Sequence, residues 1–558
     1  MTRLALPALL WTLLLPAAAG AQAEICDAFG DALRNRIEAG RATGGIVAAG
    51  DPIMAMGALP RFYEERAFRS AWFRGERPMP EVGELLSVLR SAVDEGLRPG
   101  DYHLPEIDAL LRSRSADPED DLCRRVDAEL LLTDAFLVYA SHLLQGRVNP
   151  ERIEPEWIAN RRGTDFAVVL ADALDGRGIS AAFDALEPRE EGYRLLRAAL
   201  TRLRAVARSG GWPRVPGGES LRAGMEDPRV EALRRRLEAS GDLPILTEET
   251  AASDGASDAL FDERLAEGLR RFQRRHGLEP DGVAGEGTLR ALNVPVEERI
   301  DQVELNMERW RWLPEELGRR HIRVNIAGFG VDVWEDGAPV RRIRAIVGRA
   351  YRQTPIFTGR MTYLVFSPFW HVPPGIAVND KLPAIKRDPG YVAAQRMTLL
   401  DARTNEPVDP STVEWSEMTG SEFNRRFRLR QEPGPWNALG TVKFMFPNRH
   451  NVYLHDTPDR GLFGRTERSF SSGCVRIEEP IWLAEYLLRG DPRWTRERID
   501  GVIAGRREVS VILPEPVPVH VLYWTAWVDE DGVLQFRRDL YDRDAAVRRA
   551  LEHGPPGP

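Results

Sequence analysis

A cysteine and a histidine late in the chain have the types and the spacing for nucleophilic chemistry. Cys474 stands in the string Ser471-Ser472-Gly473-Cys474-Val475-Arg476, and His455 precedes it by 19 residues. A free thiol has a pKa near ~8.5 and is mostly protonated at neutral pH, so a neighbouring imidazole that takes its proton creates the nucleophile. The pair therefore indicates acyl transfer.

The residues around the cysteine fit this chemistry, although each also has a simpler explanation. Gly473 lets the backbone turn closely, so that amide N–H groups near the sulfur can face the oxyanion of a tetrahedral intermediate. Arg476 could orient the loop or meet a substrate carboxylate, or it could merely pair with Glu478 or Asp456. A lone cysteine is more often a small buried apolar residue than a nucleophile, but its position between glycine and valine after two serines weakens that explanation.

Two neighbouring strands are needed to bring His455 and Cys474 together, and the surrounding pattern predicts them. From residue 320 the apolar residues alternate, and Glu335-Asp336-Gly337 offers a hairpin turn. We predict a β-rich catalytic domain over residues 320–515 and a C-terminal β extension over 516–558. The segment of about 370–440 is long, irregular and rich in Pro and Gly, which indicates an insertion that acts as a lid.

The preceding regions have helical periodicity. Residues 24–208 carry apolar residues at spacings of three and four, and the longest run, from about Asp121 to Leu144, predicts a central core helix. A Gly- and Pro-rich linker follows at 209–228. A small helical domain is expected over 228–293 and a helical connector over 294–319.

Composition and the first residues limit the class of protein. The net charge of -9 gives no general attraction to nucleic acid. Residues 1–23 have the pattern of a signal peptide cleaved after about Ala23, with an uncleaved anchor as the alternative. We therefore predict an exported, periplasmic protein without a transmembrane span in the mature chain. In that oxidising compartment Cys26 and Cys123 could pair, which would leave Cys474 unpaired. The sequence has no cluster of Cys and His residues at the spacing that a metal site requires, so we expect neither a metal nor a cofactor.

Residues Leu269–Leu292 contain a helix, a tight turn at Pro280-Asp281-Gly282 and a second helix. Their pattern of F-Q, G-L, D-G, G, T and A-L resembles the peptidoglycan-binding domain. The resemblance implies binding to cell-wall glycopeptide, although such modules can also serve only as scaffolding.

The string from His455 to Arg476 resembles the active-site motif of the L,D-transpeptidases, in which a histidine is followed by S/T-x-G-C-x-N/R. The stretch Arg430–Asn448 and the order of domains resemble the long, YcbB-like members of this YkuD-type family. The resemblance implies that Cys474 is the nucleophile and His455 the proton acceptor and donor, with Ser471, Gly473 and Arg476 as the supporting oxyanion loop. Ser472 departs from the family pattern, because many members have a second histidine at this position. Any secondary role of that histidine is not expected here, whereas the base remains His455.

This resemblance implies a multidomain α+β protein with a helical scaffold, a three-helix peptidoglycan-binding domain and a β-rich catalytic domain with a lid. It implies 3–3 cross-linking of donor and acceptor peptidoglycan stem peptides, with release of D-alanine. An L,D-carboxypeptidase or cysteine endopeptidase, and a non-catalytic wall-binding scaffold, are the alternatives. The substrate-binding residues that it suggests are Tyr453, Phe446, Asn448, Trp370 and Asn437.

Overall fold

The structure is a computed structural model that describes residues 16–153, 162–244 and 259–552. In its N-terminal region, the segments with apolar residues spaced three and four apart form helices. The helix Pro118–Gln145 begins at Asp117, whose carboxylate accepts the N–H of Glu119, and ends at Gly146 with φ of 82°. All residues from 128 to 144 are buried, which confirms the predicted core helix. Around it lie the helices Pro16–Thr43, Ala58–Glu65, Pro80–Ser91, Leu104–Arg112, Pro150–Ile153, Phe166–Asp172, Ile179–Asp184 and Glu191–Arg208.

The predicted signal peptide falls mostly outside the described residues, which begin at residue 16. The helix Pro16–Thr43 runs through the predicted cleavage position at Ala23. Side chains are described from residue 28 onward, so the side chain of Cys26 is outside the description. Cys123 is a free, exposed cysteine, and the structure therefore shows no disulfide at this residue.

The next region contains the helices Arg229–Ala239, Glu263–Arg275 and Glu286–Leu292. Gln273 ties the predicted turn to the helix before it, because its amide donates to Asp281 Oδ1 at 2.8 Å and accepts the N–H of Gly282 at 2.9 Å. Residues of both helices share one core, as the sequence predicted: Leu269, Phe272, Leu289 and Leu292.

The connector helix Val296–Arg311 holds the regions together through polar side chains. Asn306 donates to Thr525 Oγ1 at 2.9 Å, and Arg309 bonds to Asp544 Oδ1 at 2.5 Å. On another side, Arg311 donates to the hydroxyl of Tyr193 at 2.8 Å. The connector is thus fixed between the helical region and the C-terminal segment.

One sheet forms the third region, and its strands are numbered here in chain order. They are β1 (Arg320–Asn325), β2 (Gly330–Glu335), β3 (Ala338–Gly348), β4 (Phe357–Phe366), β5 (Val442–Met445), β6 (Leu454–His455), β7 (Ser469–Ser471), β8 (Val475–Ile477) and β9 (Val509–Leu522). Their order is β7-β3-β8-β6-β5-β4-β9-β1-β2, and β2 also pairs with β3. This second pairing closes eight strands into a ring, with β7 outside it beside β3. The helices Pro480–Leu488 and Arg496–Ala504 follow β8.

The predicted insertion lies between β4 and β5 and has its own core. Its antiparallel sheet consists of Met397–Asp401, Phe427–Gln431 and Trp370–His371, in that order. Its helices are Pro374–Ile376, Leu382–Arg387, Tyr391–Ala394 and Gly420–Arg426. Tyr453, just before β6, packs against this core and also against the core of the main sheet. The insertion therefore covers the part of the sheet that carries His455.

The end of the chain differs from the prediction in two ways. Strand β9 runs past the expected boundary at residue 515 and pairs with β1 from Val519 to Leu522, so the main sheet continues to Leu522. After the hairpin Ala526–Val528 and Leu534–Phe536, the segment ends in the helix Arg543–Glu552 and is not purely β. No helix among the described residues is long and apolar enough to cross a membrane.

Candidate active site

The pairing of β6 with β8 brings the predicted histidine and cysteine to one face of the sheet. The two strands are parallel, with Leu454 opposite Val475 and His455 opposite Arg476. Side chains alternate along a strand, so Tyr453, His455, Cys474 and Arg476 share the face opposite to that of Leu454 and Val475. The buried leucine and valine face the core. The prediction that neighbouring strands carry the pair is confirmed.

A hydrogen bond fixes the tautomer of His455. Its Nδ1 lies 2.6 Å from the backbone carbonyl oxygen of Asp456, so Nδ1 carries the hydrogen and donates it. Nε2 is then the nitrogen with a free lone pair. Burial and, to a smaller extent, the cation of Arg476 lower the pKa of the imidazole to about 3, although the Asp456 carbonyl acts in the opposite direction. At neutral pH the ring is uncharged and can accept a proton at Nε2.

The thiol of Cys474 is also neutral at rest. Burial raises its pKa to about 11, and the N–H and hydroxyl of Tyr453 oppose this rise. Its sulfur lies 3.8 Å from the carbonyl oxygen of Asn451, to which the thiol donates weakly. The sequence suggested a thiolate produced by the imidazole, whereas these two pKa values describe an uncharged pair. In this uncharged pair, a thiolate forms at neutral pH only if the thiol proton passes to another group.

The loop before Cys474 is held rigidly. Ser471 Oγ donates to the Cys474 carbonyl at 2.5 Å and accepts the N–H of Gly473 at 3.1 Å. Thr354 Oγ1 donates to the Gly473 carbonyl at 2.8 Å. Gly473 has φ of 116°, which strongly favours glycine. Within residues 259–552 no hydrogen bond engages the N–H of Cys474, so this donor is free to meet an oxyanion.

Arg476 pairs with neither of the carboxylates that the sequence suggested. Its Nη1 lies 3.2 Å from Asp459 Oδ2, and Glu478 and Asp456 pair instead with Arg344 and Arg460. The guanidinium remains beside His455, where its positive charge disfavours protonation of the imidazole.

Of the suggested substrate-binding residues, the structure brings only Tyr453 to the cysteine. Phe446 is 1% exposed and stacks on Phe357. Asn437 is fully buried, and its amide donates to the Pro368 carbonyl at 2.9 Å.

The two remaining suggested residues are also engaged elsewhere. Asn448 donates to the carbonyls of Phe446 and Val452 within its own turn. Trp370 lies in the core of the insertion. These four side chains are thus engaged within the protein, and their part in substrate binding stays a prediction.

Two contacts that the sequence did not reveal connect the insertion to the site. Arg352 forms a forked ion pair with Asp380 of the insertion at 2.6 and 2.8 Å, and it donates to Ser472 Oγ at 3.0 Å. Asp456 accepts the N–H and hydroxyl of Thr441, both at 2.8 Å, where the chain leaves the insertion. No local motif marks these residues, because their partners lie far away in the sequence.

The site combines a thiol and an imidazole on neighbouring strands with a free backbone N–H, and the insertion covers it. Such a set of groups is suited to nucleophilic acyl transfer. Residues 319–495 match the family model of the L,D-transpeptidase catalytic domain, YkuD. Residues 57–200 match the scaffold domain, and residues 226–292 match the "Putative peptidoglycan binding domain". Residues 319–495 thus belong to the YkuD-type L,D-transpeptidase family, and the predicted multidomain α+β fold class is confirmed.

Three proteins are similar to parts of this chain. A Haemophilus influenzae protein named "Putative L,D-transpeptidase" is 35% identical over 249 residues, which are 45% of this chain and 49% of that protein. The N-acetylmuramoyl-L-alanine amidase CwlM of Mycobacterium tuberculosis is 38% identical over 80 residues, 14% of this chain and 20% of that protein. The structure of an L,D-transpeptidase from Xylanimonas cellulosilytica aligns with 55% of this chain and 99% of its own, at 14% identity and a TM-score of 0.17. The chain thus spans about half of the first relative's length and a fifth of the second's.

Proposed function

We propose that this chain is an L,D-transpeptidase that forms 3–3 peptidoglycan cross-links through a thioester on Cys474. The observation that carries the proposal is the parallel pairing of β6 with β8, which places Cys474 and His455 on one face of a YkuD-type domain. The donor is a tetrapeptide stem that ends in D-alanine, and the acceptor is a second stem.

The first half of the reaction forms the thioester. As Sγ of Cys474 attacks the carbonyl carbon that joins the third stem residue to D-alanine, its proton passes to Nε2 of His455. The oxyanion faces the N–H of Cys474. His455 then gives the proton to the departing nitrogen, the C–N bond breaks, and D-alanine leaves with a neutral amine.

The second half resolves the thioester. The side-chain amine of the acceptor's third residue attacks the same carbonyl carbon and gives a proton to Nε2. The C–S bond breaks, Cys474 regains its proton, and a new amide joins the two stems. Water in place of the amine would give an L,D-carboxypeptidase. The insertion favours the amine when it closes over the face, because it excludes water.

The site of action follows from the substrate. Peptidoglycan lies outside the cytoplasm, so we place the protein in the periplasm, with residues 1–23 as its export signal. The domain at residues 226–292 would hold the enzyme on the wall while the catalytic domain acts.

Intact-protein mass spectrometry tests the proposal directly. Incubation with a tetrapeptide donor should add the mass of the donor minus D-alanine, and the adduct should map to Cys474. Cys474→Ala should abolish the adduct and cross-linking, whereas the matched control Cys123→Ala, which removes a free exposed thiol, should retain both. An adduct that persists in Cys474→Ala would refute the assignment.

A further inference from the structure

A lysine stands beside His455 on the side away from the cysteine. In the antiparallel pairing of β5 with β6, Lys443 is directly opposite His455. Directly opposed residues project to the same face with their Cβ atoms about 5 Å apart. The face that carries the thiol and the imidazole therefore continues to an ammonium group.

Lys443 has no partner that would explain its position. It is half-buried, and among the described residues it makes no ion pair or side-chain hydrogen bond. Glu508 is the carboxylate that stabilises its charge, but from beyond ion-pair distance, and Oε2 of Glu508 accepts the N–H of Phe369 at 2.8 Å. Burial lowers the pKa of the ammonium. An ammonium so placed gains most from a carboxylate ligand.

The choice of lysine is itself unusual in this chain. Lys381, Lys386 and Lys443 are the only lysines among 76 basic residues. The other two lie in the insertion, where Lys381 donates to the Tyr391 hydroxyl and Lys386 to the Ser416 carbonyl. Lysine is a compact point charge on a flexible stem, whereas arginine is a wide planar fork. A narrow site that binds one carboxylate oxygen therefore fits a lysine better than an arginine.

The order of groups across the sheet matches the order of atoms in the donor. From β8 through β6 to β5 the face presents Cys474, His455 and Lys443, on strands about 4.8 Å apart. From the scissile bond outward, the donor presents the carbonyl carbon, the nitrogen of D-alanine, its Cα and its carboxylate. If the carbon meets the thiol and the nitrogen meets the imidazole, the carboxylate extends over β5.

We propose that Lys443 forms a carboxylate subsite that binds the free α-carboxylate of the donor's terminal D-alanine and thereby selects stems with an unblocked C-terminus. This inference rests on the proposed function and names what that site recognises. It makes Lys443 a specificity-determining residue, whose ammonium anchors the leaving group while His455 delivers a proton to its nitrogen.

Two donors that differ only at the C-terminus test the subsite. One is a tetrapeptide stem ending in D-alanine, and the other is the same stem ending in D-alaninamide. The rate constant for acylation of Cys474 is measured for each by rapid-quench mass spectrometry. A charge-assisted hydrogen bond should make the wild type prefer the carboxylate about 10- to 100-fold.

The variants separate the subsite from general damage. In Lys443→Met the ratio of the two rate constants should fall to about one, and Lys443→Arg should restore part of it. The matched control Lys386→Met removes an exposed lysine of the insertion and should keep the wild-type ratio.

Two results would overturn the inference in distinguishable ways. If the wild type acylates with the D-alanine donor but Lys443→Met keeps the wild-type ratio, the carboxylate binds elsewhere and the proposed function stands. If neither donor acylates the wild type, the proposed function fails and the subsite fails with it.

Discussion

Alkylation of Cys474 by iodoacetamide should be slow at neutral pH and should accelerate steeply as the pH rises through 9 to 11. The reason is the raised pKa of about 11, since the thiolate is the reactive form and appears only as the pH approaches that value. An imidazole with a pKa of about 3 cannot hold the proton of the thiol at rest. The pH profile therefore reports whether the pair is neutral or ionic.

The magnitude follows from the two pKa values. At pH 7.5 a thiol of pKa about 11 is ionised in roughly 3 molecules in 10,000, against about 1 in 10 for a free thiol of pKa ~8.5. The thiolate fraction is thus about 300-fold lower. A more basic thiolate is intrinsically more nucleophilic, which recovers about tenfold. The net expectation is alkylation about 30-fold slower than that of a free thiol.

Peptide-resolved mass spectrometry over pH 6 to 11 measures this rate at Cys474. Cys123, free and exposed on the same molecule, checks the reagent and the integrity of the protein at each pH. His455→Gln should change the profile by less than about threefold, because a neutral imidazole contributes little to thiol ionisation at rest. A rate that is already on a plateau below pH 8, and that collapses in His455→Gln, would show a thiolate–imidazolium pair and refute the reasoning.

Two further predictions concern the attachment of the insertion. Gly440→Ala should lower the free energy of unfolding by about 2 to 4 kcal/mol, since Gly440 has φ of 61° and an added Cβ would lie 2.4 Å from the side chain of Asp456. The control Gly461→Ala, at a position with open space around it, should lower it by less than ~0.5 kcal/mol in the same denaturant unfolding series. Equal losses of stability in the two variants would contradict the contact with Asp456. Arg352→Gln should raise the fraction of thioester that is hydrolysed, rather than transferred to the amine, by up to about fivefold. The reason is that a partly exposed ion pair, such as that of Arg352 with Asp380, contributes at most ~1 kcal/mol to closure of the insertion over the site. An unchanged fraction in the product analysis would exclude a role for this ion pair in holding the insertion closed.

Much of the architecture was readable from local patterns. The helix Pro118–Gln145 and the hairpin at Asp336-Gly337 follow from periodicity and turn chemistry, which act over a few residues. The same holds for the helix-turn-helix around Gly282, where the Gln273 amide closes the turn. His455 and Cys474 were recognisable because a thiol, an imidazole and the glycines between them form a compact string.

The sequence could not show the surroundings of the suggested substrate-binding residues, because these depend on what each side chain packs against. Asn437 and Asn448 have suitable chemistry, but backbone carbonyls engage their amides, that of the distant Pro368 for Asn437 and that of the nearby Val452 for Asn448. Phe446 directly follows strand β5, yet the alternation of that strand turns its ring toward the core. Sequence spacing gives the alternation along a strand but does not show which face is covered.

The sequence by itself determined which groups are available: a thiol in a glycine-bearing loop, a histidine 19 residues upstream, and three lysines among many arginines. Only the tertiary structure decided their relations. Strand register sets Lys443 opposite His455 and His455 beside Cys474, and burial makes the thiol and the imidazole neutral. Register and burial arise from pairings between residues far apart in the chain, whose energies no local pattern contains.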